Sequence, residues 1–263
     1  MMGARLSPWL IGFAVLVFLF LLGPLVIIVG ASLSDTSFLT FPPRGITLEW
    51  YANIWQISAF RSTAATSLTL AVTATALALV AGIPAAYALA RYGVVLPPFL
   101  STVFILPILV PELVLGFSIM KSFTAGQGWP VTTTLIVGHA LLVLPYCVRV
   151  VSASLASFDF SVEEAAVSLG CPRWRAVLTV VLPNVRAGVI AAFILAFITS
   201  INDVSVSLFL TGPGVSTLPI QLLAHMEQFF DPTIAAVSVV LMVLTVGVMA
   251  VVEWTLGLSF LTK

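Results

Sequence analysis

The strongest constraint on this chain is a series of apolar stretches, each long enough to cross a lipid bilayer. The hydrocarbon core is about 30 Å thick and an α-helix rises about 1.5 Å per residue, so one crossing takes roughly 20 largely apolar residues. Six such stretches fit, at about 9–30, 60–90, 97–120, 131–152, 184–210 and 231–257. Residues of apolar type make up 60% of the chain, charged residues 8%, and the mean hydropathy is +1.19. Soluble domains carry roughly one-quarter charged residues, so a soluble fold is excluded. The expected fold class is all-α: a polytopic membrane protein with six transmembrane helices forming a single domain over residues 1–263.

The second stretch is longer than a bilayer requires, which implies tilt or extension past the membrane. Arg5 precedes the first, and Val29-Gly30-Ala31 offers small residues that a signal peptidase could use. The run from Trp9 to Val29 exceeds the 7–15 residues typical of a signal core, however, so a retained first helix is expected. Cytoplasmic loops collect Lys and Arg. With both ends inside, Arg5, Arg91, Arg149, Arg173, Arg175, Arg186 and Lys263 fall on the cytoplasmic side, and only Arg44, Arg61 and Lys121 outside. The segment of about 158–183, between the fourth and fifth stretches, is then cytoplasmic.

The formal net charge is zero, so nothing in the overall charge favours nucleic acid or an acidic partner. Cys147 and Cys171 have no metal-type spacing. No Gly-x-x-x-x-Gly-Lys-[Ser/Thr] phosphate loop occurs, so the chain is not itself an ATPase. Paired His residues and Ser/His or Asp dyads at useful spacing are also missing, which argues against an intramembrane enzyme.

The cytoplasmic segment carries the most local information. Ser161 stands three residues before Glu164, the spacing of a capping box that starts a helix. That helix is predicted to pass through Ala165, Ala166 and Leu169 and to stop at Gly170, because glycine takes the left-handed conformation that closes a helix. Pro172 suits the first turn of a second helix bearing Arg173, Trp174 and Arg175, and Pro183 interrupts it before the next membrane stretch. The expectation is a helix-turn-helix lying at the membrane surface.

Glu164-Ala165-Ala166, then Gly170, Val180 and Leu182-Pro183, resemble the cytoplasmic coupling loop of ABC importer permeases. A Glu-Ala-Ala triplet alone is a common accident; the joint spacing and the sidedness carry the resemblance. Val180 stands where the pattern favours isoleucine and keeps its β-branched apolar character. The likeness extends over most of Thr63–Val251. Leu106–Gly116 (LPILVPELVLG) is similar to the family's third helix, His139–Arg149 with Pro145-Tyr146 to its fourth, and Ser200–Gly214 to the end of its fifth.

This resemblance, strongest to the spermidine/putrescine branch, implies a type I, binding-protein-dependent permease of the bacterial inner membrane with both termini cytoplasmic. It implies import of a small solute by alternating access. Six helices make half a pathway, so the implied partners are a second permease subunit, a dimer of ABC ATPase subunits, a periplasmic or extracellular solute-binding protein and the lipid bilayer, with no nucleic acid. ATP and Mg would reside in the partner ATPase, and this chain would bind no cofactor or metal. Glu163, Glu164, Ala165, Ala166 and Gly170 are the implied ATPase-docking residues, with Glu163 either sharing the contact or facing water.

Polyamine permeases often show two adjacent acidic residues where this chain has Asn202-Asp203, so related permeases for amino-phosphonates, thiamine, sulfate or iron are the alternatives for the solute. An ion-gradient-driven transporter is the alternative mechanism; few buried charges and no visible inverted repeat argue against it. Ionisable residues within a membrane cost about 2.5–3.5 kcal/mol each and usually face a cavity or partner. Asp203 and Glu112 are therefore the substrate-pathway candidates, with a structural hydrogen bond as the other reading of Asp203. His139 is expected to be a packed histidine with no titratable neighbour on its face. His225 and Glu227, in the outer segment 212–230, are open to the binding protein or to water. Trp9, Trp50, Tyr51, Trp55 and Trp254 read as interfacial anchors.

Overall fold

Proline placement divides the apolar stretches into the helices observed. A computed structural model describes residues 7–93 and 97–256. In chain order its elements are α1 (Pro8–Ser32), α2 (Glu49–Gln56), α3 (Ser58–Tyr92), α4 (Pro98–Leu109), α5 (Glu112–Ile119), a π-helical turn (Met120–Ala125) and α6 (Val131–Ala156). Then come α7 (Ser161–Ser168), α8 (Arg173–Ala176), a second π turn (Val177–Val181), α9 (Leu182–Asn184), α10 (Arg186–Ile201), α11 (Ser207–Leu210), α12 (Leu218–Gln228) and α13 (Thr233–Leu256). No strand occurs among the described residues, in keeping with an all-α chain. Arg5, Lys263 and the predicted end at Gly257 lie outside the described residues, as does the side chain of Trp254.

Two of the six expected stretches are not single helices. The third is cut at Val110 and Pro111, both extended, because Pro111 has no amide hydrogen to donate and disfavours helical backbone at the residue before it. The fifth ends at Ile201, and α11 begins only at Ser207. Before it, the segment Arg173–Asn184 meets α10 at a bend of 77°. Among the described residues four helices are long and apolar enough to cross a bilayer, or five if the bent pair is one span. Of four prolines within these stretches, Pro84 and Pro145 stay inside α3 and α6, Pro107 lies within α4, and Pro111 ends a helix. The long second stretch is a single helix of 35 residues, about 52 Å at the usual rise.

The chain forms two units. One holds the chain up to Arg61 with Leu222–Leu244, and the other holds Ser62–Gln221 with the chain from Thr245. In the first, none of the most apolar window of α1 is buried, so lipid or another apolar surface must cover it. Trp50 Nε1 donates to the Ser34 carbonyl at 2.7 Å and Tyr51 Oη pairs with Ser32 Oγ at 2.7 Å, while Trp55 is exposed. His225 sits between the rings of Phe60 and Phe229, 3.5 Å from Asp231.

The second unit is built around α6, whose buried face includes Leu135, Leu142, Val143, Cys147, Val151 and Leu155. Small residues allow neighbouring helices to approach it closely. A Cβ on Gly188 of α10 would overlap the Ser154 side chain, and one on Gly138 would overlap Leu210 of α11. These contacts place the ends of α3, α6 and α10 around the segment that carries the candidate site.

Candidate functional site

The helix-turn-helix forms with a different start from the one expected. Ser161 is the first helical residue of α7 rather than its cap, and the preceding Phe160 makes no side-chain cap bond. Asp159 Oδ1 instead accepts the Ser161 amide at 2.9 Å. The hydrogen bonds from Ser161 hold the Asp159 carboxyl below the ordinary carboxylate range. The capping box fails because Ser161 lies inside the helix and Glu164 is engaged by Arg91.

The stop at Gly170 is as expected. Its φ of +91° lies in the left-handed region. The Cys171 amide donates to the Ala166 carbonyl at 3.1 Å and the Gly170 amide to the Val167 carbonyl at 2.9 Å, the paired bonds of a Schellman closure. Pro172 directly precedes α8, and its carbonyl accepts from the Arg175 and Ala176 amides. The π turn that follows ends two residues before Pro183, which cannot donate back to the preceding turn. Asn184 Nδ2 donates to the Val180 carbonyl there at 2.7 Å.

Glu163 and Glu164 are neighbours with opposite environments. Glu164 is 59% exposed and pairs with Arg91, while Ala165 is exposed and Ala166 partly so. Glu163 is only 1% exposed, so of its two readings from sequence the water-facing carboxylate does not match its surroundings. Tyr87 Oη donates to Glu163 Oε1 at 2.7 Å; Arg173 Nε lies 3.7 Å from Oε1 and Arg91 Nε 3.9 Å from Oε2. Arg173 also donates to Tyr92 Oη at 2.9 Å, and the Arg91 guanidinium lies 5.2 Å from the Phe160 ring centroid. A buried carboxylate requires such partners, because an unpaired one carries a large desolvation penalty.

Sequence reasoning placed Arg91 and Arg173 on one and the same side of the membrane, in keeping with their shared contact to Glu163, without assigning them a role, and passed over Tyr87 and Tyr92. A signal was present: Tyr87 and Arg91 are spaced i, i+4 at the end of a membrane helix, so they share one face.

Asp203 is buried in the break between α10 and α11. It accepts from the Ser207 amide at 2.8 Å, the Ser207 hydroxyl at 2.9 Å and the Val206 amide at 3.3 Å. His139 is buried beside it, with Nδ1 2.9 Å from Ser200 Oγ and Nε2 3.0 Å from Ser207 Oγ. Asp203 Oδ2 is 3.6 Å from His139 Nε2, so the expectation that His139 has no titratable neighbour is corrected. The two residues lie 64 positions apart, and only the packing of α6 against the break joins them. Glu112 is exposed in the first turn of α5, directly after the break at Pro111.

The family described as "Binding-protein-dependent transport system inner membrane component" matches residues 78–256, from within α3 to the end of α13. The chain belongs to this family. It is thus a permease of binding-protein-dependent ABC import and an inner-membrane protein. It is 29% identical to the putrescine transport system permease protein PotI of Escherichia coli K12, covering 95% of this chain and 91% of that one. It is 31% identical to the putative 2-aminoethylphosphonate transport system permease protein PhnV of Salmonella paratyphi A, over 90% of this chain and 89% of that one. Among solved structures, a bacterial ABC transporter importing the acidic polysaccharide alginate superimposes with a TM-score of 0.62 at 18% identity, covering 96% of this chain and 99% of that chain, which supports the fold alone.

Proposed function

We propose that this permease imports a polyamine, putrescine or a close relative, with ATP and Mg held in a dimer of partner ATPase subunits. A second permease subunit completes the pathway, and an external solute-binding protein delivers the cargo. The termini and the α7–α8 segment face the cytoplasm, where the ATPase docks on Glu164, Ala165, Ala166 and Gly170. The observation that carries this reading is the α7–α8 pair itself: two short helices locked at Gly170 by paired backbone bonds, with Glu164 and Ala165 exposed. A rigid protrusion converts closure of the nucleotide-binding halves into movement of membrane helices, which a floppy loop would absorb. The polyamine assignment rests on the likeness to PotI over nearly the whole of both chains.

Of the two acidic pathway candidates, Glu112 is the better placed for an ammonium group. Its carboxylate is exposed, whereas Asp203 spends its oxygens on Ser207 and Val206. Glu164→Arg sets a second guanidinium against Arg91 and reverses the charge offered to the ATPase. That variant is expected to insert normally, to lose the ATPase on purification and to stop ATP-driven putrescine uptake into proteoliposomes. Normal uptake would remove Glu164 from the mechanism, and uptake by the chain without any ATPase would favour an ion-gradient transporter.

A further inference from the structure

Both covalent routes out of the α7–α8 pair are interrupted. Towards α6 the chain passes through Ser157–Phe160, which is not regular helix, and towards α10 it passes a π turn, Pro183 and the 77° bend at Val185. Rotation applied to the loop would be lost in these joints, because bends and π turns are where helices yield. Apolar packing of Phe158, Phe160, Val181 and Val185 joins the ends of the loop to α3 and α6, and the polar side-chain connection runs to α3. Glu163 on α7 accepts from Tyr87 on α3, and Arg173 on α8 reaches both Glu163 and Tyr92 of α3. Arg91 lies between both glutamates, over the Phe160 ring. With two arginines and two glutamates the cluster is charge-balanced, and Glu163 at its centre is closed to solvent. The helix it grips runs unbroken for 35 residues.

We propose that Glu163 is an internal anchor instead of a docking contact, and that Tyr87, Arg91 and Arg173 are positioning residues that make α3 the helix through which loop displacement enters the membrane. This rests on the ATPase-driven reading given above and adds the route by which force leaves the loop. Two neighbouring glutamates then divide the work: Glu164 faces the partner, and Glu163 holds the loop to the permease.

The test uses the complete importer in nanodiscs, with spin labels at Val80→Cys on α3 and Val162→Cys on α7, both exposed, in a Cys147→Ala, Cys171→Ala background. With the cluster intact, the distance between labels should form one narrow distribution that is the same without nucleotide and with ATP trapped. Tyr87→Phe keeps the ring and removes the bond to Glu163; Glu163→Gln keeps the shape and removes the charge. In either variant ATP should shift or split the distribution, and putrescine moved per ATP hydrolysed should fall roughly tenfold, the scale of losing one hydrogen bond to a charged group. Arg173→Lys should retain the narrow distribution. ATPase co-purification should be unchanged in all of them, in contrast with Glu164→Arg. A distribution that stays narrow with ATP in both Tyr87→Phe and Glu163→Gln overturns the anchor. Failure of the unmodified chain to capture an ATPase overturns the proposed function and the anchor with it.

Discussion

Gly170→Ala isolates the rigidity of the coupling loop from its surface chemistry. A Cβ at this position meets nothing within 4 Å, so the substitution introduces no clash and acts through the backbone alone. Holding an L-residue at a φ of +91° costs about 1–2 kcal/mol. Alanine also narrows the unfolded ensemble, which returns about 0.4–1 kcal/mol. The net loss is about 1 kcal/mol, or roughly a fivefold rise in the fraction of time the closure is open. The bonds that break are those from the Gly170 and Cys171 amides to the Val167 and Ala166 carbonyls, so the amides of residues 170 and 171 should exchange with solvent about fivefold faster. Hydrogen exchange on the nanodisc-embedded importer reads this directly, with α6 amides as the internal control. Gly170→Asn should fall between glycine and alanine, since asparagine tolerates the left-handed region better. Unchanged exchange in Gly170→Ala, or faster exchange in Gly170→Asn than in Gly170→Ala, would show that the turn is not held by this closure.

Three further substitutions probe other parts of the chain. Asp203→Asn removes one of the carboxylate oxygens that cap α11 and sets an amide against the Ser207 or Val206 donors; a loss of about 1–3 kcal/mol is expected, read as a lower melting temperature in detergent, and an unchanged melting point would dismiss the capping role. Glu112→Gln should raise the KM for putrescine by up to about fivefold with no change in thermal stability, the range of an exposed ion pair; an unaltered KM would take Glu112 off the pathway. Gly188→Ala should push α10 from α6 through the Ser154 side chain and destabilise by about 1–3 kcal/mol, and Ser154→Gly in the same chain should restore stability. Absence of that rescue would mean the close approach is not what Gly188 provides.

The helical class, the chain's place in a membrane and the position of the loop were legible in the sequence because each depends on local chemistry. The apolar run at about 60–90, with internal Pro84, is a membrane helix whatever surrounds it, and Gly170 between two short helical patterns is a turn by its backbone freedom alone. Pro111 could also be read as an interruption, although the sequence does not reveal that it ends α4 outright while Pro84 and Pro145 are carried within their helices. That difference depends on whether neighbouring groups satisfy the carbonyls a proline leaves free.

Pairings between distant segments were the part that sequence could not supply. Ser161 and Glu164 have the spacing of a capping box, yet a guanidinium from α3 takes Glu164 and the box does not form. His139 looked solitary until packing brought Asp203, Ser200 and Ser207 around it. Glu163 and Glu164 are adjacent residues of the same type, and only the fold encloses one and leaves the other exposed. Sequence by itself determined the helical class, where the turn falls and which family the loop resembles, since these follow from apolar length, backbone freedom and spacing. The tertiary structure alone decided the working environment of each charge, because in a low-dielectric interior a carboxylate is defined by the donors that other helices bring to it.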